Sequence, residues 1–230
     1  MKQNFKSRYP KLLNYYYIIR FYCRFFYRKQ VRHHIFWKIS KGDKKLYKNL
    51  PLNCESIFFD VGAHIGMVSE KINHLYGCKI YSFEPDYKNY NYLVQKFKSI
   101  NNIAIYNFAL SNFDGLGNMI TNHGSASFKL VPSKIINNES VQVKNISKFL
   151  IENKINKIDV LKLNVEGSEF EILENLLDNK YIENVNTLLV QFHENYDNAH
   201  LRRLEIIERL KKTHTLIFNY YFVWEKWVRK

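Results

Sequence analysis

The sequence predicts an α/β protein built on a mostly parallel sheet with helices on both faces, and three observations lead there. From Pro51 onward, short apolar runs alternate with amphipathic stretches, the rhythm of strands joined by crossover helices. A turn carrying Gly62 and Gly66 stands between the first apolar run and the first amphipathic stretch. The second apolar run ends on an acid, Glu84, where open α/β sheets bind nucleosides.

Strands are predicted at 56–60, 79–83, 103–108, 158–163, 187–192 and 215–220, with a last one at 222–227. Helices are predicted at 67–75, 87–99, 169–177 and 199–211. The interval 111–145 breaks the rhythm: Asn112-Phe113-Asp114-Gly115 reads as a turn and Gly124-Ser125-Ala126-Ser127 as a loop, from the turn preferences of these residues. An insertion there is either a solvated excursion or a set of substrate-contacting loops above the sheet.

The chain of 230 residues, 46% hydrophobic, suffices for one full core, because burial is already efficient at this length. Its net charge of +14 is uneven. Residues 1–48 hold 14 Lys/Arg against Asp43 alone, giving +13, and residues 49–230 hold 21 against 20 acids, giving +1. Two regions follow: a basic, aromatic extension at 1–48 and a catalytic body at 49–230. Cys23, Cys54 and Cys78 have no metal-ligand or disulfide-framework spacing, which fits a reducing, cytoplasmic setting. The apolar stretch 12–26 is interrupted by Asn14, Arg20 and Arg24, so it reads neither as a signal peptide nor as a membrane span.

Phe58-Phe59-Asp60-Val61-Gly62-Ala63-His64-Ile65-Gly66 lies between a strand and a helix signal, the context a nucleotide loop requires. Gly62 permits the tight turn, and Gly66 lets the helix begin close to the strand. Glu84, at the end of the next strand, suits a carboxylate that accepts both ribose hydroxyls. A dinucleotide site wants a middle glycine for its pyrophosphate, and here that position holds His64. S-adenosylmethionine has no phosphate and is cationic at sulfur, so Asp60 near its ammonium end favours this methyl donor over NAD. Asp60, Gly62, Ala63, His64, Gly66 and Glu84 are therefore the cofactor candidates.

In Ile158-Asp159-Val160-Leu161-Lys162-Leu163-Asn164-Val165-Glu166-Gly167-Ser168-Glu169, three polar residues, Lys162, Asn164 and Glu166, share one strand face. A wet cleft satisfies them at lower cost than an apolar interior.

At this point the sequence resembles the FkbM-like methyltransferases, through Phe59 to Gly66, Phe83-Glu84-Pro85, Ala109-Leu110-Ser111 with Gly115, and Lys162 to Glu169 followed by Ile172-Leu173. The resemblance implies a seven-stranded, Rossmann-like class I methyltransferase fold, most often one that methylates a hydroxyl on a sugar, glycan or natural product. It carries Asp60, Gly62, Gly66 and Glu84 over as cofactor contacts. The family usually has acids where this chain has Asn164 and Gln191, so no metal requirement is expected.

Methyl transfer to a hydroxyl needs a base, and Glu166 and His193 both end strands on the ligand side. His193 has the better intrinsic pKa, about 6.5. Lys162 either orients Glu166 or binds an anionic acceptor. Two rival readings stand beside this one: an RNA methyltransferase that uses the basic extension, and a non-catalytic binding protein on the same fold. In the extension, Arg20, Arg24, Arg28 and Arg32 recur every four residues, a stripe along one helix through 15–36. With Ile18, Ile19, Tyr22, Phe25, Phe26 and Tyr27 on the other faces, such a helix either lies on an anionic inner membrane surface or docks on the body.

Overall fold

The computed structural model describes residues 17, 19, 20, 22, 23, 25, 27–121, 128–133 and 140–230, with backbone alone over 119–121 and 128–133. Ile18, Arg24 and Phe26 of the expected helix, and the loop expected at 124–127, lie outside them. The chain divides into two compact units, Met1–Leu46 and Tyr47–Lys230.

In the first unit, α1 (Lys29–Ile39) and α2 (Gly42–Lys45) are joined by a turn through Lys41, whose φ of 55° is left-handed. The buried Trp37 ring lies over Gly42, where a Cβ would fall 2.1 Å from the indole. Its Nε1 donates to Asp43 Oδ1 at 2.8 Å. The helix expected to run through 15–36 is broken at Arg28, which is extended (φ −104°, ψ 105°) and stands just before α1. Arg20 and Arg32 therefore do not ride one continuous helix.

The second unit contains β1 (Ile57–Val61), α3 (Met67–Tyr76), β2 (Lys79–Phe83), α4 (Tyr87–Lys96), β3 (Ile103–Tyr106), β4 (Ala109–Ser111), β5 (Gly115–Thr121), β6 (Phe128–Ser133), β7 (Ser140–Asn145), α5 (Ile146–Glu152), β8 (Ile158–Leu163), α6 (Glu169–Asp178), β9 (Val185–Val190), α7 (Ala199–Leu210), β10 (His214–Tyr220) and β11 (Trp224–Arg229). The main sheet has seven strands in the order β10-β11-β9-β8-β1-β2-β3. Every pairing among β3, β2, β1, β8 and β9 is parallel, and β11 runs antiparallel to both of its neighbours.

Helices cover both faces, as the period-two alternation requires. Phe59, Val61, Leu161, Leu163 and Val190 join one core with Phe149 of α5, Phe170 of α6 and Ile206 of α7. On the opposite face, Asp60 and Ser82 meet Ser69 of α3.

The interval 111–145, expected as loops, instead forms a second sheet in the order β4-β7-β5-β6. Val141 and Val143 are buried and Gln142 is exposed, a strand alternation masked by the turn residues around it. The helix α5 was not anticipated either; Asn145 caps it by accepting from Lys148 N at 3.1 Å. The last strand starts two residues later than expected, because Phe222 is left-handed (φ 52°) in the hairpin turn.

Strand order reverses between β1 and β8: β2 and β3 continue on one side, β9 and the later strands on the other. At this boundary Asp60 and Lys162 are directly opposite in register, and both are buried. Lys162 Nζ donates to Asp60 Oδ1 (2.8 Å), Val61 O (3.2 Å) and Gly62 O (2.8 Å), which engages all of its protons. Ser69 Oγ donates to the other carboxylate oxygen, Asp60 Oδ2, at 2.7 Å. Replacing Lys162 by Met leaves Asp60 buried without its cation and is expected to cost about 3–5 kcal/mol in denaturant unfolding. The Asp60→Asn/Lys162→Met double variant should recover part of that loss.

Candidate active site

A cavity of about 450 Å³ opens at the carboxyl ends of β1, β2 and β8. Its floor is the turn after β1. Gly62 and Ala63 donate their backbone N–H groups to Phe83 O at 3.1 and 3.0 Å, tying the turn to β2. Gly62 has a φ of +80°, and a Cβ there would fall 2.1 Å from Asn164 O, so the turn also touches the end of β8. Only glycine satisfies both demands.

Of the cofactor candidates, Gly62, His64 and Glu84 line the cavity. Ala63 and Gly66 shape the turn without lining it: Gly66 N donates to Ala63 O at 2.8 Å, and Gly66 precedes α3 against Leu93 and Phe97. Asp60, expected at a ligand's ammonium end, is fully buried beneath the turn, where Lys162 and Ser69 occupy it. Lys162, expected to orient Glu166 or to bind an acceptor, is held there too and does not reach the cavity.

Glu84 stands at the β2 side. Its Oε2 accepts from His64 N at 2.7 Å and its Oε1 from Asp86 N at 3.0 Å. Burial raises its pKa above the usual carboxylate value, against the lowering effect of these two backbone donors. Asn107 Nδ2 donates to Glu84 O and Pro85 O at 3.0 and 3.1 Å, fixing the backbone that presents the acid. On the β8 side, Asn164 lines the cavity, and its Oδ1 is buried with no hydrogen-bond partner among the described residues. Such an acceptor is uncommon in a folded protein.

Glu166 also lines the cavity, from a left-handed backbone (φ 56°) just past β8. Strain of this kind in a non-glycine residue gathers at functional sites. Gly167 follows it because a Cβ there would fall 1.8 Å from Tyr196 Cζ. Behind Glu166 stands His193, with Nε2 3.3 Å from Glu166 Oε2 and Nδ1 2.9 Å from Glu169 Oε1. Glu169 is fully buried in the first turn of α6, and its Oε1 also accepts from Val165 N at 2.8 Å. Burial opposes a charge on His193, but Glu169 and Glu166 outweigh it and push its pKa up to about 10.

His193 thus lies between two carboxylates that favour its charged form, and of the two candidate bases only Glu166 lines the cavity. Glu169 and Tyr196 were missed by the sequence reading. Glu169 looks like an ordinary first-turn acid, and Tyr196 lies in the stretch between β9 and α7 with no local signal for its approach to Gly167.

Comparison with known proteins places this geometry. The methyltransferase FkbM domain matches residues 60–212. No curated protein matches the sequence. Among solved structures, an rRNA methylase from Streptococcus thermophilus is similar at 14% identity and a TM-score of 0.50, covering 82% of this chain and 94% of that one. A candidate rRNA methylase from Clostridium thermocellum is similar at 11% identity and a TM-score of 0.50, covering 83% and 95%. At these identities the likeness establishes the fold, a class I methyltransferase fold. The matched domain begins at the buried Asp60, takes in the turn, Glu84 and the Glu166 cluster, and spans more than half of the chain; the chain belongs to the FkbM methyltransferase family.

Proposed function

We propose that the protein is an S-adenosylmethionine-dependent methyltransferase acting on a hydroxyl of a sugar, glycan or related small molecule. The observation that carries this reading is one cavity with Glu84 at the β2 end, Glu166 at the β8 end and the β1 turn between them. The two carboxylates come from the ends of β2 and β8, the strands that flank β1 on either side. That placement suits a nucleoside held at its ribose and extended past its sulfonium to an acceptor.

The donor set fits this cofactor. In this reading Glu84 accepts the ribose hydroxyls, and the unpartnered Asn164 Oδ1 accepts from the ammonium. The carboxylates of Glu84, Asp86 and Glu166 on the cavity wall suit a cationic ligand and oppose a polyanionic acceptor. When bound, the cofactor supplies a transferable methyl group on sulfur. Glu166 accepts the proton of the acceptor hydroxyl as the oxygen–carbon bond forms. His193 donates from Nε2 to Glu166 Oε2 and fixes its direction, while Glu169 balances the imidazolium charge. His193 is thus a positioning residue. None of these roles calls for a divalent metal.

Calorimetry with S-adenosylmethionine tests the cofactor role. Glu84→Ala is expected to weaken binding at least about tenfold, as the loss of charge-assisted hydrogen bonds implies. Glu166→Gln should leave binding within about twofold and cut turnover by roughly 10²–10⁴, the range for a lost general base. A Glu166→Gln enzyme with normal turnover assigns the proton elsewhere. EDTA should leave turnover unchanged, and loss restored by magnesium would overturn metal independence.

The raised pKa of His193 also fixes a stability profile. Its contribution is complete below about 6.5, the value for an unfolded histidine, and is lost as pH rises through about 10. The melting temperature should fall across that window, and His193→Gln should flatten the fall. Parallel curves for the two proteins would show that His193 carries no such charge.

A further inference from the structure

Residues 1–46 carry 13 Lys/Arg against Asp43, a charge of +12. Asp43, the one acid, accepts the Trp37 indole N–H. Trp37 is also the only residue buried in α1; its contact with Gly42 settles which side of the helix faces the α1–α2 turn. Phe36 and Ile39 are three residues apart on another face of α1, and they are 50% and 72% exposed. Ile19 and Tyr27 are also exposed, at 61% and 88%. Close to Ile39 in the chain, Lys38, Lys41, Lys44 and Lys45 are all exposed.

An exposed apolar pair on a short helix beside a tight lysine cluster is the pattern of an anionic-lipid contact: side chains enter the acyl boundary while the ammonium groups meet headgroups. Single-stranded nucleic acid would use the same cations, but it rewards planar side chains that stack on bases. Ile39, the most exposed residue of the pair, has no such plane. We infer that the α1–α2 hairpin docks on an anionic lipid surface through Phe36, Ile39 and the Lys38–Lys45 cluster. This contact differs from the continuous arginine-striped helix that the sequence suggested, because the break at Arg28 leaves no such helix to lie flat.

The test is co-sedimentation of the full chain with vesicles of phosphatidylcholine alone and of phosphatidylcholine mixed with phosphatidylglycerol. Partition should favour the anionic vesicles at least about tenfold and weaken as salt is raised. A Phe36→Ser/Ile39→Ser variant should lose at least about fivefold of that partition, since buried apolar area contributes to the binding. Its melting temperature should match that of the parent protein, because both side chains are exposed. Equal partition onto both vesicles overturns the inference. So does an anionic preference that the double substitution leaves untouched, which would make the lysines a general polyanion site, open to RNA as much as to lipid.

Discussion

The buried pair of Asp60 and Lys162 is the constraint on which the site depends. It sits where the strand order turns back on itself, and it ties neighbouring strands together by side chains as well as by their ladder. A buried ion pair seldom stabilises a fold more than well-packed apolar residues would. The conformation that this one selects is its distinguishing contribution. By drawing the carbonyls of Val61 and Gly62 toward Nζ, Lys162 settles how the turn leaves β1. The N–H groups of Gly62 and Ala63 are then committed to β2, and His64 N to Glu84. Turn, cation and Glu84 form one connected hydrogen-bonded network.

A second charged arrangement governs the other end of the cavity. Strand alternation ends with Leu163, the last residue of β8, so the face shared by Lys162, Asn164 and Glu166 in the sequence divides in three dimensions. Lys162 belongs to the interior, Asn164 to the cavity wall, and Glu166 to a left-handed turn that aims its carboxylate by backbone rather than by strand register. The imidazolium of His193 joins that turn to the start of α6 through Glu169. Each carboxylate in the cluster restrains the other through a cation that both share.

How much of this was legible in the sequence follows from the range of the interactions involved. The glycine turn and the acid at the end of β2 are local signals, and each stands where the spacing placed it. The ion pair of Asp60 with Lys162 spans 102 positions, and no pattern in either segment announces it. The second sheet was hidden for a similar reason: β4 pairs in parallel with β7, across the whole of the insertion. The break at Arg28 carries no glycine or proline to mark it. What the sequence withheld about His193 was electrostatic, since an intrinsic pKa says nothing of the two acids that surround the ring.

The wall of the cavity formed by Ala109 and Leu110 belongs to β4, which pairs with no strand of the main sheet. Leu110 reaches the main core, whereas Ala109 packs with Val141, Val143 and Phe113 in a small cluster of its own. Hairpins β5–β6 can therefore lengthen, shorten or change sequence over generations without disturbing the strands that carry the turn and Glu84. Such separation lets one chemistry be inherited while its clients diversify. In this family, sequence drift is expected to concentrate in the second sheet and to spare the buried charges beneath the turn.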